Sequence, residues 1–78
     1  MKIKFSTLEK VNEFIKLAQS ANADVFVKYK SLFIDGSSVM GMYSLDFSEE
    51  FELKVIEKAE GEYDKLVEKL RELGIVTE

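Results

Sequence analysis

The sequence predicts an α+β domain: a four-stranded antiparallel sheet with three helices on one face. Three observations lead there. The hydrophobic spacing switches along the chain between a period of two and a period near 3.6, giving the order β-α-β-β-α-β-α. The second and third strands follow each other so closely that they must form a hairpin. The chain has 78 residues, enough for one domain with a thin core, since a chain this short buries only about 60% of its unfolded surface. The simplest packing of such elements lays every helix against the same side of the sheet.

Lys2-Ile3-Lys4-Phe5 alternates polar and apolar, as a half-buried strand does. Ser6-Thr7-Leu8-Glu9 fits a capping box, with serine at the N-cap and glutamate three residues on. Leu8, Val11, Phe14, Ile15 and Ala18 then share one face at helical spacing. The helix is expected from about Thr7 to Ser20, ending near Asn22 in a left-handed conformation. Ala23 to Lys30 reads as a strand, with Val25, Val27 and Tyr29 on one face and Phe26, Lys28 and Lys30 on the other. Leu32 to Asp35 is its hairpin partner, although the turn pair Lys30-Ser31 lacks the Asn-Gly chemistry that favours positive φ.

Asp35-Gly36-Ser37-Ser38 breaks the strand and offers three caps. A positive φ at Gly36 would disfavour any β-branched residue there. Val39 to Leu45 can make two helical turns, too short to stand without packing. Asp46 to Glu50 reads as an acidic loop, Phe51 to Glu57 as a strand and Lys58 to Gly61 as a turn. The last helix runs from about Glu62 to Leu73 on a stripe of Tyr63, Leu66, Val67, Leu70 and Leu73. Gly74 ends it, and acids at its start with bases at its end suit the helix dipole.

Composition removes several functions. There is no cysteine and no histidine, so thiolate and imidazole metal sites and imidazole catalysis are excluded. No cofactor and no metal are expected. Fifteen acids against eleven bases give a net charge of -4, and Arg71 is the single arginine. A nucleic-acid binder would carry a basic stripe, and a membrane-surface helix a basic amphipathic face. Neither is present, so a protein is the expected partner, with no nucleic acid and no membrane. No signal peptide or long apolar span is visible, so a cytoplasmic protein is expected.

Asn22 to Leu45 carries a resemblance. A hairpin leads to Ser38 and then to Val39-Met40-Gly41-Met42-Tyr43-Ser44-Leu45. This resembles HPr, the histidine-containing phosphocarrier family of the bacterial sugar phosphotransferase system. Members carry a regulatory serine followed by a run of Ile-Met-Gly-Val-Met-Ser-Leu type. The element order matches over essentially all of the chain, and Glu60-Gly61-Glu62 is similar to the turn before the family's last helix. The resemblance implies an open-faced β-sandwich with strand order 1-4-2-3, a single HPr-like domain over 1–78. It also implies a regulatory phosphorylation site at Ser38 and a partner-docking surface at Val39, Met40 and Tyr43.

The phosphoacceptor region departs from the family. A Gly-Ile/Leu-His-Ala-Arg-Pro motif precedes the first helix in HPr, and its histidine takes phosphate from enzyme I. Here Thr7 falls about where the histidine would stand and Glu9 about where the arginine would. A phosphothreonine is an ester, not a readily transferred phosphoramidate, and Glu9 would repel the anion an arginine should clamp. The expectation is therefore an HPr-like fold without histidine phosphotransfer. Such a protein would be a binding or regulatory module tied to sugar uptake or carbon metabolism in a bacterium, and not an enzyme.

Two alternatives stand beside it: a phosphotransferase-system component phosphorylated on Ser38, and a small enzyme of unknown reaction. The second is disfavoured because no carboxylate pair stands out as catalytic. Plainer readings exist for each residue as well. Ser38 can be an N-cap, the Ser6/Thr7 pair a structural cap, and Met42 and Leu45 the buried side of the short helix.

Overall fold

Seven elements follow one another in the expected order in the computed structural model, which describes residues 1–78. They are β1 (Lys2–Ile3), α1 (Leu8–Ser20), β2 (Ala23–Tyr29), β3 (Leu32–Asp35), α2 (Val39–Tyr43), β4 (Phe51–Glu57) and α3 (Glu62–Glu72). The strands form one antiparallel sheet in the order β1-β4-β2-β3. Only β2 and β3 are neighbours in both sequence and sheet. The other joins cross over, and α1, α2 and α3 all lie on the same side. Val25, Val27, Phe51, Leu53 and Ile3 face the helices, where Val11, Phe14, Ile15, Ala18, Met42, Leu66, Val67 and Leu70 complete the core. Burying a side chain such as Phe14 contributes about 1.5–3 kcal/mol. No helix is long and apolar enough to cross a membrane.

The first helix starts one residue later than the capping box suggests. Its N-cap is Thr7, not Ser6: Thr7 is extended and its Oγ1 accepts from the Lys10 N–H at 3.2 Å. Phe5 is buried against Phe14, and the chain bends at Ser6 and Thr7 before the helix begins. The helix also ends without a left-handed residue. Ala21 is extended, and the Asn22 N–H goes instead to Glu62 Oε1 at 2.7 Å, at the start of α3. Leu8, in the first turn, is more than half exposed, so the buried stripe begins at Val11.

The hairpin closes on two residues, since Tyr29 pairs with Leu32. Lys30 takes φ +57, the sign a two-residue hairpin needs and a residue seldom chosen for it. Gly36 does not have positive φ. It is glycine because it is buried: a Cβ there would stand 2.9 Å from Phe14 Cε2 and 3.1 Å from the Val25 carbonyl oxygen.

Beyond α3 the chain does more than stop. Gly74, at φ +72, bonds its N–H to the Arg71 carbonyl, and the Ile75 N–H reaches back to Leu70 at 3.0 Å. This is the Schellman ending, and its usual apolar contact is supplied by Leu70 and Ile75, both fully buried. Val76 then bridges to Ile3, while the Lys4 N–H meets Ile75 and the Thr77 N–H meets Lys2. These residues cover the outer edge of β1. At the other end of the sheet, β3 is left as a bare edge.

Candidate functional site

The segment from Asp35 to Tyr43 is built around two serine turns. Asp35 Oδ1 accepts from the Ser37 N–H at 2.9 Å and the Ser37 hydroxyl at 2.7 Å. The hydroxyl, and after it the backbone N–H, hold the Asp35 carboxyl below its ordinary pKa. The Ser38 N–H bonds the Asp35 carbonyl, and Ser38, in extended geometry, accepts from the Gly41 N–H at 3.1 Å. Ser38 is therefore the N-cap of α2, and its residue is half-buried. Gln19 on α1 ties the loop down by donating to the Ser37 carbonyl.

This geometry accounts for Met-Gly-Met. A glycine inside a helix normally costs about 1 kcal/mol against alanine. A Cβ at Gly41, however, would come within 3.2 Å of Ile34 Cγ2, so its absence lets α2 lie close on β3. Met42 points down and is fully buried, whereas Met40 points away and is 87% exposed. Val39 and Tyr43, one turn apart, are exposed beside it. The last turn tightens, with the Ser44 N–H on Gly41 and the Leu45 N–H on Met42, so the helix ends at Tyr43 and not at Leu45.

Tyr43 is fixed where Met40 is free. Its hydroxyl donates to Asn12 Oδ1 of α1, and its ring meets Phe47 edge to face at 6.4 Å. Phe47 in turn packs on Phe5 at 6.0 Å. The loop that reads as acidic thus holds an apolar anchor, and Asp46 closes its start by accepting from the Ser48 hydroxyl and N–H. These bonds, the hydroxyl first, lower the Asp46 pKa as well. The surface left open combines a flexible thioether, a rigid ring with a polar tip and a branched aliphatic residue.

Thr7 and Glu9 sit on the exposed first turn of α1, with the Thr7 oxygen already engaged in its cap. They provide no basic nucleophile and no cationic clamp. No three carboxylates gather closely enough to hold a metal ion. Two contributors escape sequence reasoning. Asn12 is one polar residue among several on the solvent side of α1, and Phe47 is a lone aromatic among acids. Tertiary contact with Tyr43, and for Phe47 with Phe5 as well, is what gives them meaning.

Comparison of the chain with protein-family models, with characterised proteins and with solved structures gives no match in any of the three.

Proposed function

We propose that this chain is an HPr-like binding module that docks a protein of the sugar phosphotransferase system or of carbon metabolism without carrying phosphate itself. The observation that supports this most is Met40, a large apolar side chain 87% exposed on a short helix whose other methionine is the core anchor. Met40, Val39 and Tyr43 lie together, and grouped exposed apolar residues mark interaction surfaces. Absence of histidine from all 78 residues removes the phosphoramidate chemistry of the family this run resembles. The reading sets the protein in the bacterial cytoplasm, where soluble components of that system work.

Titration of the isotope-labelled protein with enzyme I tests the docking. Amide shifts centred on Val39, Met40 and Tyr43 are expected, and Met40→Asp should weaken binding at least tenfold, since a charge would be desolvated at the contact. Shifts confined to the sheet, or none, would overturn the docking surface. Incubation with phosphoenolpyruvate and enzyme I should leave the mass unchanged. An acid-labile phospho-adduct would show that phosphate is carried after all.

A further inference from the structure

We infer that the free edge of β3 is a pairing edge for a second copy of this chain. The two edges of the sheet are treated differently. Residues 75–77 cover β1 with backbone hydrogen bonds, while β3 ends the sheet with only β2 beside it. Leu32 and Phe33 are 61% and 51% exposed there.

The hairpin fixes the hydrogen-bond phase of this edge. A two-residue hairpin makes Tyr29 and Leu32 a bonded pair, and bonded pairs alternate along an antiparallel ladder. Val27 and Ile34 are the next, and the Gly36 N–H on the Val25 carbonyl at 2.8 Å confirms the phase. Leu32 and Ile34 therefore spend their backbone groups on β2. Phe33 turns its N–H and C=O outward, as does Asp35 its N–H. An edge of this kind is a template for another strand.

Its side chains favour its own copy. In an antiparallel pair around a two-fold axis normal to the sheet, residues of like facing must oppose each other. Centring the axis on Phe33 sets Phe33 against Phe33 on the open face and Leu32 against Ile34 on the helix face. It also sets Ser31 opposite the outward N–H of Asp35. Centring on Leu32 or Ile34 instead would set Phe33 against Ser31 or Asp35, and the aromatic pair would be lost. The Phe33 register makes the two Phe33 residues exchange both backbone bonds, opposes no like charges, and brings the Lys30 end of each strand beside the Asp35 end of the other. Lys28 and Lys54 lie 5.5 and 5.8 Å from the Phe33 ring centre, framing the aromatic pair. Short edges bury little area, so the dimer is a weak one, below the usual size of a permanent interface.

Sedimentation equilibrium of the full chain from about 10 µM to about 1 mM, the range in which small interfaces associate, tests it. The average mass should rise from 8.9 kDa toward twice that value. Phe33→Glu should raise the dissociation constant at least tenfold. The new carboxylate opposes Lys28 within its own sheet but opposes itself across the axis. Since the chain has no cysteine, Phe33→Cys under mild oxidation should give an interchain disulfide, the expected Cα separation of about 5.5 Å being within bridging range. Ile56→Cys, on the same open face but on β4, should not cross-link. A mass that stays at 8.9 kDa to the highest concentration would overturn the pairing, whatever foreign strand the edge accepts. So would Phe33→Glu associating like the parent, or Ile56→Cys cross-linking as fast as Phe33→Cys.

Discussion

Gly36 and Lys30 show how single positions are constrained for different reasons. At Gly36 the backbone is unstrained and space decides, because the carbonyl of Val25 cannot retreat as a flexible side chain would. Gly36→Ala is expected to cost about 1–3 kcal/mol, the range for overpacking a core, and Gly36→Val more. Thermal melts read this directly; an unchanged Gly36→Val midpoint would show that Phe14 yields freely. At Lys30 the backbone decides, since φ is +57. Lys30→Val should lower stability by about 1–2 kcal/mol, because a β-branched residue tolerates that conformation worst. Lys30→Gly should stay within about 0.5 kcal/mol of the parent. Relief of left-handed strain is offset by the glycine entropy and by loss of the Lys30 contact over the Tyr29 ring, 5.2 Å from its centre. Urea titrations of the three proteins give the order.

At the scale of the element, α2 is the part that helix propensity does not sustain by itself. Five residues cannot hold a helix in water, so the Ser38 cap, worth about 1 kcal/mol, and the buried Met42 must do it. Met40→Asp should therefore shift stability by no more than about 0.5 kcal/mol, as exposed changes do. Met42→Asp should cost several kcal/mol, because its charge would be desolvated among apolar neighbours. Circular dichroism melts compare them, and a larger loss for Met40→Asp would make Met40 a core residue and remove the support for the proposed docking surface. What could be read of the elements follows from their length. The long helices α1 and α3 announce themselves by repeated apolar spacing at Val11, Phe14, Ile15 and Ala18 and at Leu66, Val67 and Leu70. Their ends are harder. Ser6 and Thr7 read as equivalent caps, and only the fold shows Thr7 to be the one that accepts from Lys10. Asn22 offers a left-handed ending, but its N–H goes to the Glu62 carboxylate. Ile75 and Val76 form too short a stretch to show any period, and they acquire a partner only when α3 has turned back toward β1.

Taken as a whole molecule, the β3-to-β4 connection is closed at each end by a similar turn. Asp35 with Ser37 precedes α2 and Asp46 with Ser48 follows it, so both ends of the β3-to-β4 connection depend on an ionised carboxylate accepting two hydrogen bonds. The Ser38-to-Leu45 run in the sequence points to α2. It does not show that the exposed side rests on this pair, since an Asp-x-Ser spacing is common in any loop. The sign of the pH dependence follows from the lowered pKa of both groups. A carboxyl whose folded pKa is depressed stabilises the fold fully above its unfolded value, about 3.9, and that contribution is lost as pH falls through the folded value. The double variant Asp35→Asn, Asp46→Asn keeps an acceptor oxygen at each turn but cannot titrate. Its melting temperature should lie below the parent's by a constant margin above about pH 5, and the margin should close below about pH 4 as the parent's carboxylates take up protons. Both proteins keep eleven lysine and arginine charges in acid, and their net charges become equal once Asp35 and Asp46 are protonated, so self-repulsion cancels in the difference at the acid end. Melts from neutral pH into acid measure that difference. A margin that holds unchanged below about pH 4 would mean that these two turns do not govern the acid limb.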